Sequence, residues 1–126
     1  MNFRVFLNAV NNNNTREVKK LLSDKSFSPA KLNSFAIESS IHSNSFETFL
    51  ILINDERFDP SSMDNNPLFY SIQSQNKEFF KVLIKNKKVI NKLKLEWIES
   101  CFSFIKDKDK DNMKETLLNI LNIKQF

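Results

Sequence analysis

The chain has 126 residues, 40% of them hydrophobic and 27% charged, which is enough apolar material for one packed domain. A formal net charge of +4 is too small to dictate a nucleic-acid partner, and the single Cys101 excludes an intramolecular disulfide and a zinc site built from several thiolates. No apolar run approaches the ~20 residues of a membrane span, and the start turns polar at Asn8, too early for a secretory signal, so an intracellular, cytoplasmic protein without membrane contact is expected.

Along the chain the predicted elements come in pairs. An opening helix reaches Ala9, and Asn11 to Asn14 read as a joining loop. Glycine is absent throughout, so asparagine must take its place at turns, being the non-glycine residue that best tolerates left-handed backbone. Asn14 then stands as N-cap before Val18-x-x-Leu21-Leu22. Asp24-x-x-Phe27-x-Pro29 follows, and it recurs after a step of 31 residues as Asp55-x-x-Phe58-x-Pro60; a third copy keeps the step with Val89 and Asn91 at the Phe and Pro positions.

The cap repeats on the same step as Ser45 and Asn76. Each precedes an apolar helix, Phe46-x-x-Phe49-Leu50-Ile51-Leu52-Ile53 and Phe79-Phe80-x-Val82-Leu83-Ile84. Between them, Asp55 to Ser62 has turn composition around one apolar anchor, Phe58. Pro67 opens a short helix through Ile72, at a position where its missing N–H costs nothing, and Gln73-Ser74-Gln75 ends it. Leu95 to Ile105 reads as a further helix, Lys106 to Asp111 as a solvated loop of alternating charge, and Met113 to Leu121 as an amphipathic end helix with polar Lys114, Glu115, Asn119 and Asn122 on its wet face. The charged loop lacks the Gly turn and closing Glu of a calcium site, so no metal is expected there.

A fixed step of this length describes units that cannot bury their own apolar faces and must stack. The predicted fold is therefore all-α, an α-solenoid of antiparallel helix pairs in a single domain, with repeats at about 1–28, 29–59, 60–90 and 91–126. Chemistry is not expected of it. His42 is the only histidine, no glycine exists to build a phosphate loop, and Cys101 falls at a packing position of its helix, so no catalytic, cofactor or metal residues are assigned.

The units resemble ankyrin repeats over nearly the whole chain. The family's Thr-Pro-Leu-His-x-Ala opening is similar to Asn66-Pro67-Leu68-Phe69-Tyr70-Ser71, its Val-Val-x-x-Leu-Leu helix to Phe79-Phe80-Lys81-Val82-Leu83-Ile84, and its closing Asp-Val-Asn to Lys88-Val89-Ile90-Asn91. The small residue that lets helices approach is matched at Ala9, Ser40, Ser71 and, one residue short of register, Cys101. The chain departs from the family in losing the motif His and Thr, in having Ser43-Asn44-Ser45 and Gln75-Asn76-Lys77 for the Asn-Gly-His turn, and in opening directly in a helix.

The resemblance implies a monomeric adaptor that binds a protein through a concave groove and loop tips. It places the contact positions at Lys31, Leu32, Ser34, His42 and Ser43, at Ser62, Met63, Asn65, Gln73 and Ser74, and at Lys92, Leu93, Ser103 and Phe104. Leu32, Met63 and Leu93, apolar at expected loop tips, are either partner anchors or braces between loops. One alternative is nucleic-acid binding through the cluster Lys85 to Lys94 with Lys81, which requires those lysines to share a face free of carboxylates. A nucleic-acid partner is not expected, because Ile84, Val89, Ile90 and Leu93 interrupt the cluster. The other alternative is a structural or decoy fragment related to longer repeat proteins.

Overall fold

The computed structural model describes residues 3–27, 35–103 and 111–125. All regular structure among these residues is helical: α1 Phe3–Asn11, α2 Thr15–Leu22, α3 Phe35–His42, α4 Phe46–Ile53, α5 Ser62–Gln73, α6 Lys77–Leu83, α7 Lys87–Asn91, α8 Leu95–Phe102 and α9 Asp111–Gln125. No described helix is long and apolar enough to cross a membrane. Neighbours in sequence pack as hairpins, α1 on α2, α3 on α4, α5 on α6 and α8 on α9, while α3 also packs on both α1 and α5 and α2 packs on α4.

The expected 31-residue step is visible in the local chemistry. Asp24, Asp55 and Asn86 each accept, through Oδ1, the amide two residues on, from Ser26, Arg57 and Lys88 at 2.9, 3.0 and 3.0 Å. These Asx turns swing Phe27, Phe58 and Val89 inward, to 5%, 1% and 1% exposure, so one apolar side chain per turn plugs the core. At the opposite ends of the helices, Asn13, Asn44 and Gln75 recur on the same step with φ of 52°, 58° and 56°. The amides of Asn14, Ser45 and Asn76 then bond back to the carbonyls of Ala9, Ser40 and Ser71. Those three small residues are buried, and the hydroxyls of Ser40 and Ser71 are satisfied by the Ile37 and Leu68 carbonyls at 2.6 and 2.7 Å. A larger side chain at either serine would push the helices apart.

Of the three predicted caps only Asn14 acts through its side chain, accepting from the Glu17 amide at 3.2 Å. Ser45 instead shares a 2.8 Å hydrogen bond with Ser43 of its own turn and donates to the Asn11 carbonyl at 3.5 Å, and Asn76 donates to the Asn44 carboxamide oxygen at 3.4 Å. These side chains tie turn to turn instead. Asn13 makes the same kind of tie, accepting from the Thr48 amide and hydroxyl and donating to Glu47 at 2.7 Å. At the other ends, Arg57 donates to the Leu22 and Asp24 carbonyls and Lys92 to the Ser61 carbonyl. Each of these bonds joins residues separated by 31 to 35 positions, so α1–α2 is fastened to α3–α4 at both ends, and Asn76 and Lys92 tie the third unit back onto the turns before it.

The core is aromatic and continuous. Phe6 meets Phe27 at 5.1 Å and stacks on Phe58 at 6.1 Å, while Phe79 meets Phe49 at 4.7 Å and Phe46 at 5.2 Å. Phe6, Phe49, Phe58 and Phe79 are fully buried, each contributing on the order of 1.5–3 kcal/mol by removal from water. In the last hairpin Ile98, Cys101 and Phe102 of α8 and Met113, Leu117 and Leu121 of α9 are buried, the latter three on one face at four-residue spacing.

Two regions differ from the sequence reading. Lys87–Asn91 forms a short helix where the preceding copy, from Glu56 to Pro60, makes a turn, because the Asn86 carboxamide accepts both the Lys88 and Val89 amides and so nucleates a helical turn. The expected loop before Pro67 is instead a left-handed turn of three consecutive residues, Met63, Asp64 and Asn65, with φ between 53° and 61°, after which the right-handed helix runs on from Asn66. None of the three is glycine, and left-handed backbone costs roughly 1–2 kcal/mol per ordinary residue, so tertiary bonds must hold it. They are the Trp97 indole N–H donating to the Asp64 carbonyl at 2.7 Å and the Asn65 Nδ2 donating to the Val89 carbonyl at 3.1 Å.

Candidate functional site

That left-handed turn decides which expected contact residues a partner can reach. It throws Met63 out to 75% exposure and rolls Ser62 and Asn65 into the core at 5% and 0%. Ser62 and Asn65 are therefore corrected from contact positions to buried ones. Leu93 is corrected likewise: its amide bonds to the Ile90 carbonyl as α7 ends, which carries its side chain into the core at 2% exposure, so it braces the fold. Lys31, Leu32, Ser34 and Phe104 lie outside the described residues, as does the charged run from Lys106 to Lys110.

The remaining expected positions do not form one patch by their own contacts. Gln73 and Ser74 are exposed at the end of α5, where the Ser74 hydroxyl donates to the Tyr70 carbonyl at 2.8 Å. Ser103 is exposed and donates to the Ser100 carbonyl at 2.8 Å. Lys92 is exposed, with its Nζ 3.9 Å from the Asp59 carboxylate. Burial pushes Asp59 upward, but the Ser61 hydroxyl and amide, with the charges of Lys92 and Lys88, together hold its carboxyl below the ordinary value.

His42 and Ser43 do meet a shared surface. They line a pocket of about 310 Å³ that runs along α3 and is closed by Asn11 at the end of α1 and Tyr70 of α5. Phe35, Glu38 and Ser39 complete the wall. Phe35, at the first position of α3, is 53% exposed, while the next two residues are fully buried. Glu38 is held from across the helix interface, its Oε1 accepting from Asn66 Nδ2 at 2.7 Å. The Ser43 hydroxyl donates to the Ser39 carbonyl at 2.8 Å and shares a hydrogen bond with Ser45, so it is committed to closing α3.

The family resemblance put His42 and Ser43 among its contact positions and left out Asn11, Phe35, Glu38, Ser39 and Tyr70. The signal was present: Asn11 and His42, and again Ser39 and Tyr70, stand one 31-residue step apart on the first helices of successive pairs, so each two must lie side by side if the step is real. Phe35 carried no such signal, since an apolar residue opening a helix reads as core.

Two other depressions differ in sign. One of about 350 Å³ between α6 and α9 is floored by Phe80, Ile84 and Met113 and rimmed by Lys77 and Lys81. The other, of about 360 Å³, gathers Lys85, Lys87 and Lys88 but also Asp55 and Glu56, so these lysines share their surface with carboxylates. No protein-family model matches the chain, and no curated protein or solved structure matches it significantly.

Proposed function

We propose that the chain is a protein-binding module, a stack of ankyrin-like helix pairs that takes a partner on the exposed face of α1, α3 and α5. The observation that carries this reading is the pocket across those three helices, with the Phe35 ring half in water at its edge. The half-exposed Phe35 ring beside that depression is apolar surface available to a partner. The repeated ties between hairpins support the solenoid part of the proposal, because a surface spread over several units needs units fixed relative to one another.

Catalysis is not proposed: the Ser43 hydroxyl is engaged by Ser39 and Ser45, and among the described residues no hydroxyl or thiol is hydrogen-bonded to His42. Nucleic-acid binding gains no support from the lysine cluster, whose Lys85, Lys87 and Lys88 share a depression with Asp55 and Glu56.

The test is affinity selection of short random peptides on the immobilised protein, with the Phe35→Ser, Tyr70→Ser double variant as counter-selection. Peptides that bind the wild-type chain should lose about tenfold or more in affinity for the variant, as expected when aromatic anchors are removed. Phe35→Ser alone should melt within a few degrees of the wild-type chain and lose affinity in the same direction, whereas Tyr70→Ser also removes packing against the core and should lower the melt further. A selection yielding nothing that distinguishes them would overturn the reading.

A further inference from the structure

We propose that the cleft between α6 and α9 is a second docking surface, fitted to an acidic amphipathic segment of a partner protein. The segment seats an apolar side chain on Phe80 and Met113 and sets carboxylates against Lys77 and Lys81. This surface lies on the second helices of two pairs, apart from α1, α3 and α5, so it is independent of the pocket assigned above.

Charge sets this cleft apart. Lys77 and Lys81 stand one helical turn apart on the exposed side of α6, so two like charges face the same space and repel each other. The described lining brings no carboxylate to them, and among the described residues neither lysine stands in an ion pair. The acids of the two helices, Glu78, Asp111 and Glu115, are all exposed, and none lines the cleft. Other lysines are answered locally: Lys85, Lys87 and Lys88 share their depression with Asp55 and Glu56, and Lys92 lies 3.9 Å from Asp59. At Lys77 and Lys81 an incoming carboxylate supplies the missing countercharge.

The floor decides what accompanies that carboxylate. Phe80 and Met113, each 5% exposed, form its base with half-buried Ile84 beside them, so an apolar side chain entering the cleft leaves water. Apolar surface rimmed by polar groups is a common mark of protein docking. Lysine meets an acid as a flexible point charge and not as a planar fork, so negative charge beside an apolar group is what the rim selects. Two lysines are also few for nucleic acid, whose binding draws on a row of phosphate contacts. At about 350 Å³ the cleft has the scale of one or two side chains, and a peptide segment brings an apolar group and its flanking acids together at fixed spacing.

The experiment is a second selection of random peptides on the full wild-type chain, with the Lys77→Glu, Lys81→Glu double variant as counter-selection. Recovered peptides should carry Asp or Glu within about four residues of Phe, Leu, Ile or Met. For the tightest peptide, exchanging its acids for Asn or Gln should weaken binding to the wild-type chain roughly tenfold, and affinity should fall as salt rises. Thr116→Arg adds positive charge but fills the cleft, so it should weaken binding too, whereas attraction by charge alone would strengthen it. Both variants should keep the helical spectrum, and the amide exchange on the unmodified chain decides the matter if one does not. Neither decanoate nor a random oligonucleotide should displace the peptide at comparable concentration. Displacement by either, tolerance of the amide exchange, tighter binding to Thr116→Arg, or a selection that never distinguishes the double variant would overturn the proposal. Peptides that depend on Phe35 and Tyr70 but ignore Lys77 and Lys81 would overturn it while leaving the protein-binding reading in place. Peptides with the opposite dependence support it whatever becomes of the α3 pocket.

Discussion

The turns at Asn13, Asn44 and Gln75 and the turn at Met63 to Asn65 solve the same problem, reversing a helical chain without glycine, in opposite ways. Each of the first three places a single residue in the left-handed region, follows it with an amide bonded back to the small residue of the preceding helix, and recurs on a fixed step. The fourth places three residues there in succession and is held by an indole from α8 and a carboxamide reaching the Val89 carbonyl. The regular turns are local devices that short sequence signals can specify. The irregular one exists only because distant side chains hold it, and it sets what the surface shows at that point, Met63 outward with Ser62 and Asn65 inward.

Both kinds of turn stand on one core, so the largest effect should come from breaking that core. Leu52 and Leu83 are fully buried in α4 and α6, and Leu52→Asp or Leu83→Asp would place an unpaired charge between helices, with an expected loss of several kcal/mol, on the order of the whole stability of a small domain. Circular dichroism should show the helical spectrum collapse in either variant. A soluble, equally helical Leu83→Asp protein would mean that Leu83 does not sit between packed helices.

One chemical change made in both kinds of turn should cost unequal amounts. Asn65→Ala removes a buried hydrogen bond and puts alanine at positive φ, an expected loss of about 2–3 kcal/mol. Asn44→Ala meets the same backbone demand at an exposed turn with only the 3.4 Å bond from Asn76 to lose, and about 1 kcal/mol is expected. Denaturant midpoints of the pair would settle the matter, and equal losses would mean that the tertiary ties at Asn65 do not hold the irregular turn.

Gln75 sharpens it from the other side. A glutamine at φ 56° occupies a position that glycine fits without steric cost, so Gln75→Gly should stabilise by about 0.5 kcal/mol after the entropy of the freer unfolded chain is subtracted. The expected sign is a small rise in melting temperature, and a fall would show that the glutamine side chain matters more than the backbone.

The smallest effect should appear in acid, because the carboxylates concerned are partly or wholly solvated. The Arg57 guanidinium, hydrogen-bonded at 2.7 Å, holds the Asp55 carboxyl below its ordinary value of 3.8, and the Ser26 hydroxyl and amide do the same for Asp24. A lowered folded pKa favours the ionised form in the fold. The stabilisation is thus present above the ordinary value and is lost as pH falls through the lowered one. Urea midpoints should be level well above pH 3.8 and decline below it, and Asp55→Asn should lower the plateau while making that decline shallower.

The sequence by itself determined the helix pairs, the 31-residue step and the inward plugs Phe27, Phe58 and Val89. It could do so because periodic apolar residues, Asx turns and small packing residues act over two to five positions and need no distant partner. Only the tertiary structure decided the rest. Leu93 looked like a loop tip until the short α7 drew it inward, and Ser62 and Asn65 looked like contacts until Trp97 and Val89 stabilised a left-handed path. The pocket was legible only in part: the 31-residue step sets Asn11 beside His42 and Ser39 beside Tyr70, whereas Phe35 and Glu38 join that lining through the packing of α3 against its neighbours, which local sequence pattern does not describe.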